Sequence, residues 1–388
     1  MKLAFSKLIA FFLIAEITSQ TIDEYEIYEN QYIVTFKNES CYEDIHADPG
    51  FLSTTYVGSI NSDKIDVLKL DNDDERKYWE EMDCTEYVEP NYVVRPVAEE
   101  IPYGINLVQA LDVDDLGFDD SDEVSDMKVC ILDTGLASHP DIPSKYVEGF
   151  SYYPAGSSDY TDRHSHGTHV AGTVAALGGN DEGVIGVVRS SNTRLVIGKV
   201  LSDSGSGSYA DVIDGLDKCM QRGAKIINMS LGGGGFMQTF QNKVNELNEA
   251  GILVVAAAGN GGGSRLFYPA SYEHVISVAA IDSNENRASF SQYNNRVDLA
   301  APGVAVKSTC LRNRYCSFSG TSMASPHVAG VVALVWSHFP NVNHTQIIDV
   351  LERTAKDLGA GGRDDFYGHG LVQAKAAFDQ LVSLKFET

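Results

Sequence analysis

The sequence has no excess of basic residues, no long apolar run beyond its first residues and no visible internal repeat. Lys and Arg number 29 against 54 Asp and Glu, which gives a formal net charge of −25. A nucleic-acid surface needs Lys and Arg in excess on one face, so this balance argues against it and serves solubility or cation binding instead. A membrane helix needs roughly 18 or more apolar residues. We therefore expect neither nucleic acid nor membrane as a partner. We also expect a monomer.

Cysteine is sparse, and its few positions suit an oxidising compartment. Secreted proteins use disulfides, whereas cytosolic thiols stay reduced. The six-residue spacing predicts a disulfide between Cys310 and Cys316. The pairing of the other four cysteines cannot be read from spacing alone; they are Cys41, Cys84, Cys130 and Cys219.

The first residues are typical of an export signal. Lys2 and Lys7 flank the start of an apolar run, Leu8–Ala15, that is too short to span a bilayer. Small residues follow, and cleavage near Ser19 would make residues 1–19 a signal peptide. We therefore expect a secreted, extracellular protein.

Three sequence motifs could accept an N-linked glycan. Asn38 and Asn343 each begin an Asn-x-Ser/Thr motif, so both are candidate sites if the host glycosylates. Asn228 begins the same motif, but it lies in an apolar strand-like run. We expect Asn228 to be buried and unmodified.

The rest of the chain divides into two regions with different residue patterns. Residues 20–97 form a small module near the size at which a core is marginal, with one strand over 31–36 and another over 85–94 broken by Pro90. We expect a small α+β domain there. From Met127 onward, apolar strands alternate with helical segments of ten to fifteen residues. That pattern predicts a three-layer α/β domain around a central, mainly parallel sheet.

Ser322 opens the predicted apolar helix of the second module. It lies in the segment GTSMASPH over 320–327, which is followed by an apolar run. A helix N-terminus offers free N–H groups and a positive dipole end, which suit a nucleophile that passes through an oxyanion. Considered alone, the residue is more simply a helix-capping serine.

His166 lies in the segment HSHGTHVAGT over 164–173, at the start of another predicted helix. Three histidines so close together suggest zinc. Their spacings of two and three differ from the i, i+4 pair of zinc-protease helices, however, and no Glu lies between them. A general base, held by an acid, is the stronger interpretation of His166.

Asp133 follows the predicted strand 129–132 and begins the segment Asp133-Thr134-Gly135. Open parallel sheets place functional residues at the carboxyl ends of strands. A lone Asp in such a position is more often a turn or cap residue. Together with His166 and Ser322, however, it completes the order Asp, His, Ser, which is the subtilisin order among serine hydrolases.

The segments 132–135, 166–172 and 320–330 closely resemble the three signature segments of the subtilisin family of serine proteases, and the resemblance extends from about residue 87 to about 376. It implies a subtilisin-like peptidase domain over 98–388. In that family Ser322 would be the nucleophile, His166 the base and Asp133 the acid that orients it. Asn260, in the segment AAAGN after a buried strand, matches the family's oxyanion-hole asparagine. The alternative for Asn260 is a turn residue before glycines.

The same resemblance implies a substrate cleft. The segments 206–209 and 230–232 are similar to two strands that pair with an extended peptide backbone, while 256–258 would wall the primary pocket. Phe267 stands where bacterial members often carry a small residue, so we expect a shallower hydrophobic pocket, as in proteinase K-like members. The residues given substrate-binding roles are Ser206, Gly207, Tyr209, Ser230, Leu231, Gly232, Ala257 and Phe267.

Calcium is the cofactor that the resemblance implies. The loop 177–184 is similar to the family's calcium loop but one residue longer. Side-chain oxygens would come from Glu99, Asp141 and Asn180, and carbonyl oxygens from Leu177, Glu182 and Val184. A plain surface turn is the alternative.

Residues 20–97 resemble the family's inhibitory propeptide. The segment 87–97 aligns with propeptide tails, and 98–104 is similar to a mature N-terminus. The resemblance implies self-cleavage between Val97 and Ala98, after which the released module would act as inhibitor and folding aid. By the same resemblance, Cys130 would pair with Cys219.

The function predicted is a secreted serine endopeptidase with protein and peptide substrates, broad specificity and a hydrophobic preference before the cut. One alternative, a peptide-binding pseudoprotease, would need a damaged triad, and a second is a propeptide-type inhibitor acting through residues 20–97. A third, a lipase or esterase, would carry Gly-x-Ser-x-Gly, whereas Ser322 lies in Gly320-Thr321-Ser322-Met323-Ala324.

Overall fold

The structure is a computed structural model that describes residues 27–47, 56–60, 64–70, 72–92, 99–114, 127–155 and 157–385. The chain divides into two compact units, Met1–Pro96 and Val97–Thr388. The expected signal peptide and the expected junction between Val97 and Ala98 lie outside the described residues. Over the described ranges, no helix combines the length and apolar character needed to cross a membrane.

The N-terminal unit is a four-stranded antiparallel sheet with two helices, in the strand order β2-β3-β1-β4. Its small core is formed by Val34, Phe36, Leu68, Leu70 and Trp79. A disulfide between Cys41 and Cys84 closes the unit. The elements are β1 Ile27–Phe36, α1 Glu39–His46, β2 Tyr56–Ile60, β3 Ile65–Lys69, α2 Asp73–Glu81 and β4 Thr85–Tyr92.

Pro90 does not break its strand, contrary to the sequence prediction. Pro90 lies inside β4, opposite Tyr32 of β1. The reason is that β4 is an edge strand. A proline lacks the N–H needed to pair on both sides, and an edge strand pairs on one side only.

The second unit is built on a seven-stranded sheet in the order β11-β10-β9-β8-β5-β7-β6, and all of its strand pairs are parallel. This confirms the predicted three-layer α/β class with a mainly parallel sheet. The strands are β5 Lys128–Asp133, β6 Val147–Ser151, β7 Arg194–Lys199, β8 Ile226–Met229, β9 Leu253–Ala257, β10 Val275–Ile281 and β11 Leu299–Pro302. A hairpin of β12 Val306–Cys310 and β13 Arg314–Phe318 lies outside this sheet.

Helices cover both faces of the sheet. The helices are α3 Tyr103–Leu107, α4 His166–Ala175, α5 Tyr209–Gln221, α6 Gln238–Glu249, α7 Thr321–Ser337, α8 His344–Thr354 and α9 Ala374–Lys385. Alternate residues of β5 enter opposite cores: Val129 and Ile131 pack with α4 and α7, whereas Cys130 and Leu132 pack with α5 and α6. This follows from the two-residue period of a strand buried on both faces.

Two disulfides tie this unit together. Cys310 and Cys316 are paired within the β12–β13 hairpin, as their spacing predicted. Cys130 and Cys219 are also paired, and they link β5 to α5. All six cysteines are therefore used, with none free.

Candidate active site

Asp133 and His166 meet where β5 ends and α4 begins. The Nδ1 atom of His166 lies 2.7 Å from Oδ1 of Asp133. The Asp133 carboxylate is buried, and the same oxygen accepts a 2.7 Å hydrogen bond from the N–H of Thr134. Since Nδ1 is occupied by the carboxylate, the other ring nitrogen, Nε2, is left as the basic atom.

Opposing effects set the pKa of His166. Burial lowers the pKa of His166, but the charge of Asp133 and the hydrogen bond to it raise that pKa, and the net result lies above the ordinary value. The neighbouring His169 is different, because burial lowers its pKa to about 3. Its Nε2 atom lies 2.9 Å from the carbonyl oxygen of Val306, so His169 is used for structure.

Ser322 is the second residue of α7, and the end of β8 holds it in place. The hydroxyl of Ser322 donates to the carbonyl oxygen of Ser230 at 3.1 Å. In return, the hydroxyl of Ser230 donates to the carbonyl oxygen of Ser322 at 2.7 Å. Two residues before Ser230, the side chain of Asn228 in β8 accepts from the Ser325 hydroxyl at 2.6 Å. Three contacts therefore fix the first turn of α7 against β8.

Asn260 lies after β9, with its amide divided between α7 and the cleft. Its Oδ1 atom accepts from the N–H and the hydroxyl of Thr321, at 2.9 and 2.8 Å. Its Nδ2 atom and the backbone nitrogen of Ser322 lie on the same side of Gly320, 3.3 and 3.6 Å from where a Cβ would stand on that glycine. Two N–H donors thus lie close together beside Gly320, and both residues line the cleft, an arrangement that could stabilise an oxyanion there.

A cleft of about 840 Å³ contains His166, Asn260 and Ser322. All eight residues predicted to bind substrate line it as well: Ser206, Gly207, Tyr209, Ser230, Leu231, Gly232, Ala257 and Phe267. Asp133 lies behind His166 and is 1% exposed. Of the predicted wall 256–258, only Ala257 is among the lining residues, because Ala256 and Ala258 pack into the two cores.

The Phe267 ring lines the cleft and lies against two of its glycines. A Cβ on Gly232 would lie 2.4 Å from this ring, and a Cβ on Gly259 would lie 2.8 Å from it. The two glycines thus make room for an aromatic ring on the pocket wall. Tyr209 links the cleft segment 206–209 to the segment that follows β8, since its hydroxyl donates to the carbonyl oxygen of Gly233.

Other cleft residues were not found from the sequence. Gln292 lines the cleft, and its amide contacts the N–H of Gly261 at 3.4 Å and the carbonyl oxygen of Arg265. His164 also lines the cleft, with its ring centroid 6.3 Å from that of His166. Gln292 stands in no motif, so no sequence signal marked it. His164 was visible only as one member of the histidine cluster.

The residues predicted to bind calcium come together around the loop 177–184. The two carboxylate oxygens of Asp141 accept from the Asn180 amide at 2.8 Å and from the N–H of Val184 at 3.0 Å. Glu99 accepts from the N–H of Gly179 at 2.7 Å. Leu177 donates its N–H to the carbonyl oxygen of Asp141, and Glu182 donates its own to the Asn180 side chain.

The chemistry of this loop suits an oxygen-liganded cation. Asp141 is buried, and burial raises the pKa of its carboxyl group, an effect that a bound cation would oppose. Within the described part of the chain, no three His, Cys, Asp or Glu side chains cluster as metal ligands. A cation here would therefore also need amide and carbonyl oxygens, which calcium accepts.

Comparison with known families and sequences gives consistent matches. A family model described as the subtilase family, Peptidase S8, matches residues 125–370. Subtilisin DY of Bacillus licheniformis is 46% identical over 286 residues, which cover 72% of this chain and 99% of that protein. M-protease of Shouchella clausii is 38% identical over 364 residues, covering 93% of this chain and 88% of that protein.

A solved structure agrees with these matches. It is a psychrophilic subtilisin-like protease from the Antarctic psychrotroph Pseudoalteromonas sp. AS-11. It aligns with a TM-score of 0.67 and 26% sequence identity, covering 74% of this chain and 99% of that chain.

Proposed function

This chain is a serine endopeptidase of the subtilase family, and we propose that Ser322, His166 and Asp133 carry out its peptide-bond hydrolysis. The observation that carries the assignment is the 2.7 Å contact between His166 and Asp133, in the same cleft as Ser322. Their order along the chain is the subtilisin order, and the general account of such triads covers subtilisin itself.

In the proposed first step, Ser322 attacks the carbonyl carbon of the scissile peptide. Its hydroxyl proton moves to Nε2 of His166, and the leaving amine then takes that proton as the C–N bond breaks. Asp133 holds the ring in the tautomer that leaves Nε2 free and stabilises the imidazolium. Water repeats the sequence on the acyl-enzyme and releases the acid product. The Ser322 hydroxyl must first turn from the Ser230 carbonyl toward His166, a rotation about one side-chain bond.

Asn260 and the backbone N–H of Ser322 would stabilise the oxyanion of the tetrahedral intermediate. Asn260 keeps its Oδ1 atom on Thr321, which directs Nδ2 toward the cleft. The helix N-terminus at Thr321 adds its positive dipole end. Preorganised donors of this kind need no rearrangement as charge develops on the oxygen.

The substrate backbone would lie between residues 206–209 and 230–232. Both segments line the cleft, and each contains a glycine, Gly207 in one and Gly232 in the other. Pairing through main-chain atoms gives broad specificity, while the pocket beneath Phe267 and Ala257 gives a hydrophobic preference before the cut. We infer protein and peptide substrates with this preference.

The deciding experiment compares the full chain with Ser322→Ala on a peptide library. We expect the variant to lose more than about a thousand-fold in kcat, because the nucleophile is gone. Ser383→Ala is the matched control, an exposed serine of α9 outside the cleft, and it should keep full activity. Cutting that survives Ser322→Ala would contradict the assignment.

Several further features are proposed. We infer secretion after removal of residues 1–19, self-cleavage between Val97 and Ala98, and inhibition by residues 20–97. A small unit with its own sheet, core and disulfide supports a separately folded inhibitory module. We also infer a monomer.

We propose that calcium binds at the loop 177–184, with Glu99, Asp141 and Asn180 as side-chain ligands. The role is structural, since the loop does not line the catalytic cleft. Glycosylation at Asn38 and Asn343 is proposed as well, because both are exposed helix N-caps whose Oδ1 atom, not the amide nitrogen, makes the cap hydrogen bond. Asn228 is buried, as predicted.

A further inference from the structure

Asp162 is a buried carboxylate between the chain segments that carry Asp133 and His166. It stands in the loop before α4 and is 2% exposed. Burial of an ionised carboxylate is costly unless hydrogen bonds compensate it. The contacts of Asp162 therefore show what its charge is used for.

One carboxylate oxygen of Asp162 accepts hydrogen bonds from both chain segments, the one that carries Asp133 and the one that carries His166. Oδ1 of Asp162 accepts from the hydroxyl of Thr134 at 2.9 Å, directly after Asp133 in sequence. The same oxygen accepts from the N–H of His164 at 2.8 Å and of Ser165 at 3.2 Å, directly before His166. The Asp133 and His166 segments are thus tied to one atom.

The other oxygen binds the first turn of α4. Oδ2 of Asp162 accepts from the N–H of Thr168 at 3.0 Å and from its hydroxyl at 2.7 Å. Five donors therefore converge on one side chain. An ionised carboxylate only accepts, so it can take all five, whereas an amide in the same place would present a donor to one set.

The hydroxyl protons of Thr134 and Thr168 point at Asp162, so each hydroxyl oxygen can accept an N–H from the other segment. We call these two contacts the crossed links. The Thr134 oxygen accepts from the N–H of Gly167, on the His166 segment, at 2.9 Å. The Thr168 oxygen accepts from the N–H of Ala137, on the Asp133 segment, at 3.0 Å. Each segment thus contributes a hydroxyl that receives an N–H from the other.

We propose that Asp162 is a positioning residue for hydrolysis, which orients Thr134 and Thr168 so that His166 is held against Asp133. This inference rests on the proposed function, since it assumes that His166 is the base. It adds a second carboxylate behind the first, one that holds the geometry and touches no reacting atom.

The charge of Asp162 acts on His166 in the same direction. It helps to raise the pKa of His166, after the opposing effect of burial and the larger contribution of Asp133. Other titratable groups face the ring from neighbouring elements: His164 from the same loop and His169 from α4. Lys199 of β7 is bound to the Thr134 carbonyl at 2.6 Å and paired with Asp203.

The test compares Asp162→Asn with Asp159→Asn in the full chain. Asp159 is an exposed acid of the same loop that binds Arg163, so the control removes a charge without touching the crossed links. For Asp162→Asn we expect kcat to fall about ten- to a hundred-fold with KM within about two-fold. The acidic limb of kcat/KM should move to lower pH, because losing a negative charge lowers the His166 pKa. Unchanged kcat and an unchanged limb would overturn the proposal.

A second pair of variants covers the case in which Asp162→Asn fails to fold. Thr134→Ser keeps the hydroxyl and should retain near-normal kcat, whereas Thr134→Val loses it and should show a lower kcat. Where Asp162→Asn does fold, replacing Asp162 in the Thr134→Val background should cost less activity than in the wild type, since the shared link is already broken. Equal activity of the Ser and Val variants would refute the inference.

The His166 ring can also be followed without turnover. In the inactive Ser322→Ala chain, NMR titration of the imidazole should give a lower His166 pKa after Asp162→Asn than before it. If the wild type shows no hydrolysis, the proposed function fails, while this titration still decides the contact between Asp162 and the histidine segment. An identical pKa in both chains would refute the electrostatic part.

Discussion

Asn260 divides one amide between two tasks, with its oxygen on Thr321 and its nitrogen toward the cleft. The side chain as a whole is exposed, so little holds it except these bonds to α7. The helix that carries Ser322 therefore also orients the donor that would act on its substrate.

Asn260→Ala should lower kcat about a hundred- to a thousand-fold with little change in KM, a range known from subtilisin itself, a relative in this family. The physical reason is that the donor acts on charge that develops only in the transition state. Steady-state kinetics on one peptide substrate measures both constants. Asn295→Ala, at an exposed asparagine outside the cleft, is the control. A large rise in KM with kcat intact would show that Asn260 binds substrate instead.

At this scale the sequence indicates candidate residues but not the directions of their side chains. Ser322, His166 and Asp133 were found because each stands in a motif at the end of an element. That the Ser322 hydroxyl points to the Ser230 carbonyl could not be predicted, since a rotamer depends on packing between distant segments. Asp162 had no motif of its own, and its meaning comes from contacts made only in the fold.

At the scale of elements, the proposed hydrophobic pocket depends on the loop that follows β9. Phe267 belongs to this loop, and its ring is accommodated by glycines at 232 and 259. The depth of the proposed pocket would thus be set jointly by two segments that are separate in sequence, residues 230–232 and the loop after β9.

Phe267→Ala should deepen the pocket and raise kcat/KM for substrates with Phe or Tyr before the cut, relative to Leu, by about ten-fold. The aromatic ring of such a substrate would occupy the volume that the Phe267 side chain now fills. Competition between paired peptides measures the ratio directly. Phe366→Ala, at an exposed ring that packs on Tyr293 away from the cleft, should leave the ratio unchanged. An unaltered ratio in Phe267→Ala would mean that its ring does not bound the pocket.

Elements of the second unit were predicted well because both periodicity and burial are strong there. The predicted strand 129–132 lies within β5 and differs from it by one residue at each end. Pro90 was misjudged because edge position is a property of the sheet and not of the local sequence. The disulfide between Cys41 and Cys84 joins residues 43 apart, which spacing alone could not pair.

At the scale of the whole molecule, the first prediction concerns maturation. Secreted wild-type protein should begin at Ala98, whereas Ser322→Ala should retain residues 20–97, because the chain would cut itself. N-terminal sequencing and intact mass of both proteins provide the measurement, and Ser383→Ala is again the control. A wild-type start well beyond Gly104 would refute the cleavage site. Normal processing of Ser322→Ala would assign the cut to another protease.

The second whole-molecule prediction concerns calcium. At a free concentration a hundred times its Kd, calcium should stabilise the folded state by about 2.7 kcal/mol, or several degrees in Tm. Asp141→Asn should abolish that increment, because it removes a buried carboxylate of the loop. Differential scanning calorimetry with calcium or with chelator measures it. Asp365→Asn, at an exposed acid, should respond like the wild type; no calcium response in the wild type would refute the site.

The helix α7 has a consequence for synthesis on the ribosome. Asp133 and His166 emerge early, but Ser322 comes near the end of the chain and enters the cleft only when α7 packs into the core of the parallel sheet. Parallel sheets form from contacts distant in sequence, and such contacts form slowly. A half-made chain therefore has no assembled cutting site. The order of Asp133, His166 and Ser322 along the polypeptide thus delays assembly of the proposed triad until most of the chain has been made.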